Sequence, residues 1–169
     1  MNTLDAIYNR RSIRRYKQIQ IEKAKVEELL KSAMYAPSAR NMQPWQFIVV
    51  DDREMLDKLA TAHPYAKMLY EAPLAILVCG DEKLDETAGY WIQDCSAATQ
   101  NILLAAYELG LGTVWLGVYP REPRVNAMKE LFQLPDHIHP ITLIAIGYSD
   151  EEKERPDRFK PERIHYNKW

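Results

Sequence analysis

The chain has 169 residues, with 22 Lys and Arg against 24 Asp and Glu and a formal net charge of −2 at pH 7. That length predicts one domain that buries a core without metal or disulfide staples, and 47% apolar content excludes global disorder. The near-neutral balance argues against a general nucleic-acid binder.

Thr3 to Asn9 reads as a short helix, with Leu4, Ile7 and Tyr8 at helical spacing and Asn2 or Thr3 as cap. Five of the eight residues from Arg10 to Lys17 are then Arg or Lys. Ile21 to Ala36 reads as an amphipathic helix stopped by Pro37. A polar loop, Pro37-Ser38-Ala39-Arg40-Asn41-Met42-Gln43-Pro44, leads into a strand from Trp45 to Val50. Arg53 to Ala62 reads as a helix capped by Asp51-Asp52, and Ala66 to Glu71 as a shorter one. Leu74 to Cys79 reads as a fully buried strand, and the apolar run over 72–80 is too short to cross a bilayer. The long helix from Tyr90 to Leu109 is small or apolar nearly all round, and Gly110 ends it as a left-handed cap. Thr113 to Val118 is a strand, Glu122 to Leu131 a helix and Ile141 to Ile146 a strand. Helices alternating with single apolar strands predict an α/β or α+β domain over residues 1–148. Residues 149–169 are charged and aromatic without periodicity, and read as a C-terminal extension that needs a surface to lie on.

Three stretches can carry chemistry. The basic run from Arg10 is either a solvated face or an anion site, where guanidinium groups grip phosphate oxygens and Ser12 adds a donor. It holds no glycine and so is not a P-loop. The Pro37–Pro44 loop is either an ordinary turn or a reader of a flat heterocycle through Ser38, Asn41 and Gln43. Gly110-Leu111-Gly112 with Gly117 fails the dinucleotide fingerprint, because the glycines follow a helix and precede a strand. Gly117, inside a strand, marks close approach of a ligand or of another backbone. His137 and His139 lack an evident third metal ligand, so no metal is expected. His63 before Pro64 reads as a turn residue. Cys79 and Cys95 form no CxxC pair and suit a reducing compartment, and Cys95 reads as core. With no signal peptide visible at the N-terminus, a cytoplasmic location is expected. No acid, base or nucleophile stands out, which suits a protein whose cofactor does the chemistry.

The chain resembles the flavin-dependent nitroreductase family. The residues that carry the likeness are Arg10-Arg11-Ser12-Ile13-Arg14, the segment Pro37 to Trp45, the segment Gly110 to Gly117, and Ile146-Gly147-Tyr148 before the basic tail. The resemblance implies an α+β fold with a mixed, mostly antiparallel central sheet flanked by helices. It also implies an intertwined homodimer that binds two FMN at the subunit interface.

By that likeness Arg10, Arg11 and Ser12 lie at the ribityl and phosphate end of FMN, and Arg14 near the pyrimidine edge. Pro37, Ser38, Ala39, Asn41 and Gln43 match the loop lent by the second subunit. Trp115, Leu116 and Gly117 match the segment beside the ring, where a backbone amide reaches flavin N5. Arg158 matches a phosphate-binding position, with Lys160 and Lys67 as further candidates. The chain departs from many members in having Ser38-Ala39 for two serines, Leu116 where some carry glutamate, and no long mid-chain insertion. The resemblance implies ping-pong electron transfer from NADH or NADPH to a nitroaromatic or quinone-like acceptor. The competing readings are a branch that performs reductive dehalogenation or flavin fragmentation, and a non-catalytic phosphate- or nucleotide-binding module.

Overall fold

The computed structural model describes residues 3–86 and 89–169. Its elements are α1 (Thr3–Asn9), α2 (Lys23–Met34), β1 (Trp45–Val50), α3 (Arg53–Ala62), β2 (Leu74–Asp81), α4 (Trp91–Glu108), β3 (Gly112–Gly117), α5 (Glu122–Phe132) and β4 (Ile138–Gly147). Short 3-10 turns cover Ala39–Asn41, Lys67–Tyr70 and Pro161–Arg163. Asn2, one of the two expected caps of α1, lies outside the described residues.

The four strands form one antiparallel sheet in the order β1-β2-β4-β3. Among the described residues, parallel pairing is confined to an isolated bridge between Ser12 and Thr113, so the mixed character of the sheet is slight. Period-two alternation sends each strand's side chains to two opposite cores. Ala75, Leu77, Cys79, Leu143 and Ala145 face α3 and α5, where Leu56, Leu59 and Met128 meet them. Leu74, Ile76, Val78, Ile144 and Ile146 face α2 and α4, against Leu29, Ala33, Ala98, Ile102 and Ala106. Burial on both faces explains why β2 and β4 read as continuous apolar runs.

Most boundaries fall where the periodicity places them, and β1 and α3 match at both ends. The Asp52 carboxylate accepts from Met55 N at 2.9 Å as the cap of α3. Several elements differ. Strand β2 runs on to Asp81, two residues past Cys79, and the short helix expected over 66–71 is the 3-10 turn Lys67–Tyr70. Helix α2 is shorter than Ile21 to Ala36, because Glu22 is extended and Tyr35 already leaves helical geometry ahead of Pro37. Strand β4 begins three residues before Ile141 and runs through Pro140. The register steps from Thr142↔Val78 to Pro140↔Cys79, which leaves Ile141 as the extra residue of a bulge. Proline has no amide to give the ladder, and the bulge is where a sheet tolerates it. Gly110 takes φ +75, the left-handed cap expected at the end of α4.

The tail after Gly147 forms neither α-helix nor named strand. Its start is tied to the chain's beginning: Tyr16 bridges Ser149, and Asp150 N donates to Arg15 O at 2.9 Å. Beyond that its large apolar side chains stand in solvent, with Phe159 71% exposed and Trp169 wholly so.

Candidate active site

Strand β3 is an edge, and the Arg10–Lys17 arm lies along it. Ile13 N donates to Thr113 O at 2.9 Å, and Lys17 N to Tyr148 O at 2.9 Å. Two buried anchors fix the arm's rotation, Ile13 and Tyr16. The Tyr16 hydroxyl donates to Ile13 O at 2.6 Å with Ala145 O also in range at 3.2 Å. Burial, with Glu151 nearby, pushes its phenol well above the usual range. A Cβ on Gly112 would lie 2.9 Å from Ile13, so the arm can approach the strand this closely because Gly112 has no side chain. Lys153 Nζ donates to Ser12 O at 2.7 Å, and Arg14 N donates to a Glu151 carboxylate oxygen. The arm is thus clamped between β3 and the start of the tail.

This places Arg10, Arg11, Lys153 and Arg155 around one cavity of about 470 Å³ beside Gly110 to Thr113, whose lining also holds Glu151 and Glu152. Burial first, and then the charges of Arg158 and Arg11, lowers the pKa of Arg10. The Arg11 Nε is buried with no hydrogen-bond partner. A buried unpaired donor is costly, and a phosphate oxygen is the acceptor such a cluster would take. Arg158 lies close enough for its charge to act on Arg10, and it lines a neighbouring cavity with Arg11 and Arg155, whereas exposed Lys160 lines none of these cavities.

Further along β3 a second cavity, of about 540 Å³, is lined by Arg14, His63, Lys67, Met68 and Trp115 to Gly117. Thr113's carbonyl points to the outer edge, so by alternation the amides of Trp115 and Gly117 point there too. A Cβ built on Gly117 would meet nothing within 4 Å, which leaves room for a flat ligand against that backbone.

The Pro37–Pro44 loop lies elsewhere. Trp45 pairs with Gly80, Gly80 with His139, and Gly117 with Thr142, so the loop sits at Gly117's end of the sheet but on the opposite edge. Three strand spacings separate β1 from β3, about 14 Å. Within one chain Pro37, Ser38, Ala39, Asn41 and Gln43 are not brought to the arginines. The loop is nevertheless tightly built. Gln43 N donates to Ser38 Oγ at 3.0 Å, Gln43 Nε2 to Asn41 Oδ1 at 2.9 Å, and Ala39 N to Asp94 Oδ1 at 3.1 Å. Arg40, Asn41 and Gln43 all adopt positive φ. Non-glycine residues held there concentrate at functional sites. Asp94 is 6% exposed, and its Oδ2 is buried without a partner. Burial and then Asp85 raise its carboxyl above the usual range, against the Ala39 hydrogen bond.

Several site residues escaped the sequence reading. His63 opens a turn, as read, with Ala66 N donating to His63 O at 3.0 Å, but its side chain is also 1% exposed, with Nε2 3.0 Å from Gly117 O. Its signal was present, since Leu56, Leu59, Ala60 and His63 follow helical spacing on α3's buried face. Arg124 donates to the same carbonyl at 2.8 Å and lies 5.1 Å from the Tyr65 ring centroid. No local pattern announces that contact. His139 pairs with Glu82 at 2.8 Å and stacks on Trp91. Among the described residues no cluster of three His, Cys, Asp or Glu could hold a metal. Both cysteines are buried, and burial pushes the Cys79 thiol up to about 12.

The nitroreductase family model matches residues 7–63 and 60–148. The chain belongs to the nitroreductase family. It is 54% identical over 170 residues to an Archaeoglobus fulgidus protein, covering 98% of each, which is provisionally named an NADH dehydrogenase/NAD(P)H nitroreductase. A Parabacteroides distasonis structure with the same provisional name superposes with a TM-score of 0.95 at 44% identity, over 100% of both chains. A provisionally named nitroreductase of Desulfovibrio desulfuricans, solved with FMN, matches at TM-score 0.87 and 31% identity, over 100% of this chain and 98% of that one. No helix among the chain's described residues is long and apolar enough to cross a membrane.

Proposed function

We propose that this chain is an FMN-dependent oxidoreductase that carries electrons from NADH or NADPH to an electron-poor acceptor such as a nitroaromatic or a quinone. The observation that carries this reading is the edge of β3, where an arginine cluster with a buried, unpaired Arg11 Nε and a cavity floored by Gly117 lie along one strand. That arrangement suits a flat ring with a phosphate at the end of a chain. FMN, when bound, supplies the electron-carrying chemistry. Arg10, Arg11 and Arg158 hold its phosphate, and Ser12 holds the ribityl chain. One compact cation cluster fits a monophosphate better than the two phosphates of FAD.

Arg14 and Lys67 place positive charge at the ring end, where they stabilise negative charge that gathers on reduction. The Gly117 amide offers a donor, and Trp115 and Leu116 run beside the ring. Pro37, Ser38, Ala39, Asn41 and Gln43 of a second copy complete the site, because one chain cannot bring them there. The protein is therefore a homodimer, in which the first residues of the tail clamp the arm of their own chain and the rest of the tail packs on the partner subunit. Nicotinamide and acceptor take turns in the same open place, a ping-pong order.

The test is a spectrum and a column. The purified protein should be yellow, bleach anaerobically on addition of NADH or NADPH, and release FMN on denaturation. Released FAD would overturn the cofactor. A chain that holds nucleotide yet never bleaches would favour a binding module.

A further inference from the structure

Gly117 is the residue with the freest backbone at the point where the cavity needs a fixed donor. Glycine populates both halves of the φ range, so the peptides flanking it can turn over. A flip of the Leu116–Gly117 peptide would replace an N–H by a carbonyl oxygen at the ligand, changing attraction into repulsion. Three side chains oppose this. The Thr142 hydroxyl, itself fully buried, donates to Leu116 O at 3.0 Å on the β4 side. A trans peptide directs its N–H away from its C=O, so this bond aims the Gly117 amide outward. On the other peptide, Gly117 O accepts from Arg124 at 2.8 Å and lies 3.0 Å from His63 Nε2. Tyr65 N donates to His63 Nδ1 at 3.2 Å, which makes Nδ1 the acceptor and leaves the proton on Nε2. His63 is then a donor to Gly117 O in its neutral form. Its burial and the neighbouring Arg124 charge favour that form over the imidazolium.

We propose that His63 and Arg124 are positioning residues that lock the Gly117 backbone so that its amide faces a hydrogen-bond acceptor on the bound ligand. This rests on the flavin reading above, with the acceptor a ring nitrogen or carbonyl oxygen of the isoalloxazine. Neither side chain needs to touch the ligand. Both act through one carbonyl, from α5 and from the end of α3, and so tie two elements packed on one face of the sheet to its edge.

The experiment compares wild-type protein with His63→Leu, His63→Gln and Arg124→Leu. FMN affinity is measured by fluorescence titration well below each melting temperature. Hydrogen exchange at the Gly117 amide is followed with and without FMN. Glutamine can donate to Gly117 O and accept from Tyr65 N, whereas leucine fills space and does neither. His63→Leu and Arg124→Leu should each weaken FMN about tenfold, as expected for one lost or misaligned hydrogen bond. In both, the protection that FMN gives the Gly117 amide should fall. His63→Gln should stay within about threefold of wild type. Leucine variants that melt earlier yet bind FMN as tightly as wild type, with the same Gly117 protection, would show a fold staple and overturn the proposal. Equal loss in His63→Gln and His63→Leu would overturn it as well. Wild-type protein that takes up no FMN would instead overturn the flavin reading on which it rests.

Discussion

The two edges of the sheet are built in opposite ways. The β3 edge is finished within its own chain: the Arg10–Lys17 arm covers it, the tail's first residues clamp the arm, and His63 and Arg124 hold its far end. The β1 edge is left open. Gln46 and Val49 are exposed, and the strained loop before it presents Ser38, Asn41 and Gln43 to solvent with no ligand site of its own. Strain in a loop with nothing to bind costs stability without return inside one chain. On the proposed reading, β3 carries a site of its own chain, and the loop before β1 serves the site of a second copy. Exposed Leu4 and Ile7 on α1 and exposed Phe159 and Tyr166 in the tail fit the same division, since they too stand in solvent in the single chain.

The most severe way to break this comparison is to cut the chain after Asp150. That removes the Glu151 carboxylate that accepts from Arg14 N, the Lys153 contact to Ser12 O, and Arg158. The β3 edge should lose its clamp and the protein should aggregate or purify without flavin. Full-length protein should sediment as a homodimer whose interface buries about 2,000–5,000 Å², the range of obligate pairs. A full-length monomer that keeps FMN would end the idea that β1 of one copy serves β3 of another.

A sharper test lies within the arm. Arg10→Ala should weaken FMN roughly ten- to a hundredfold, the value of a charge-assisted contact of about 1.5–3 kcal/mol. Arg15→Ala should change it less than about twofold, because an exposed charge pointing to solvent contributes little. Arg15 enters the structure through its backbone, whose carbonyl receives Asp150 N. Equal effects in a titration would mean a diffuse basic face in place of a built site.

Much of the β3 edge was legible because its information is local. A helix ending in Gly110, an apolar strand and a basic run each announce themselves within a few residues. Gly117 stands out for the same reason, as a glycine inside an apolar strand. What stayed hidden depends on contacts far apart in the chain. Arg124 meets Gly117 O only after α5 folds back onto the sheet, and Asp94 meets Ala39 across 55 residues. At His63 the turn announced by Pro64 is present, but the burial of the ring, which the α3 periodicity implied, went unread. The β4 bulge was hidden because proline ordinarily argues against a strand.

Gly117→Val separates binding from folding at the β3 edge. The unliganded chain has open space where the new Cβ would lie, and its φ is not one that excludes a side chain. Valine also favours strands, so stability should stay within about 1 kcal/mol of wild type. Flavin binding should nevertheless fall at least tenfold, because the isopropyl group takes the ring's place. Unchanged flavin content and turnover would reduce Gly117 to an ordinary strand glycine.

The smallest expected effect is on pH, and it too belongs to the β3 edge. His63 is held below its ordinary pKa first by burial and then by Arg124 from α5, and the Gly117 hydrogen bond only partly opposes this. Arg14 and Lys67 line the same cavity and add positive charge, and no carboxylate lines it. A histidine whose folded pKa is depressed takes up its proton more readily when unfolded. Its contribution to stability is therefore intact above the unfolded value of about 6.5 and is lost as pH falls toward the folded value. Protonation would also put an N–H on Nδ1 facing the Tyr65 N–H, two donors against each other, and so loosen the hold on Gly117 O. Wild-type protein should lose stability and FMN affinity together as pH falls below about 6.5, and His63→Leu should show a flatter profile in both. Denaturant unfolding and flavin titration, measured side by side at several pH values, check this. Parallel profiles for the two proteins would assign the acid sensitivity to groups other than His63.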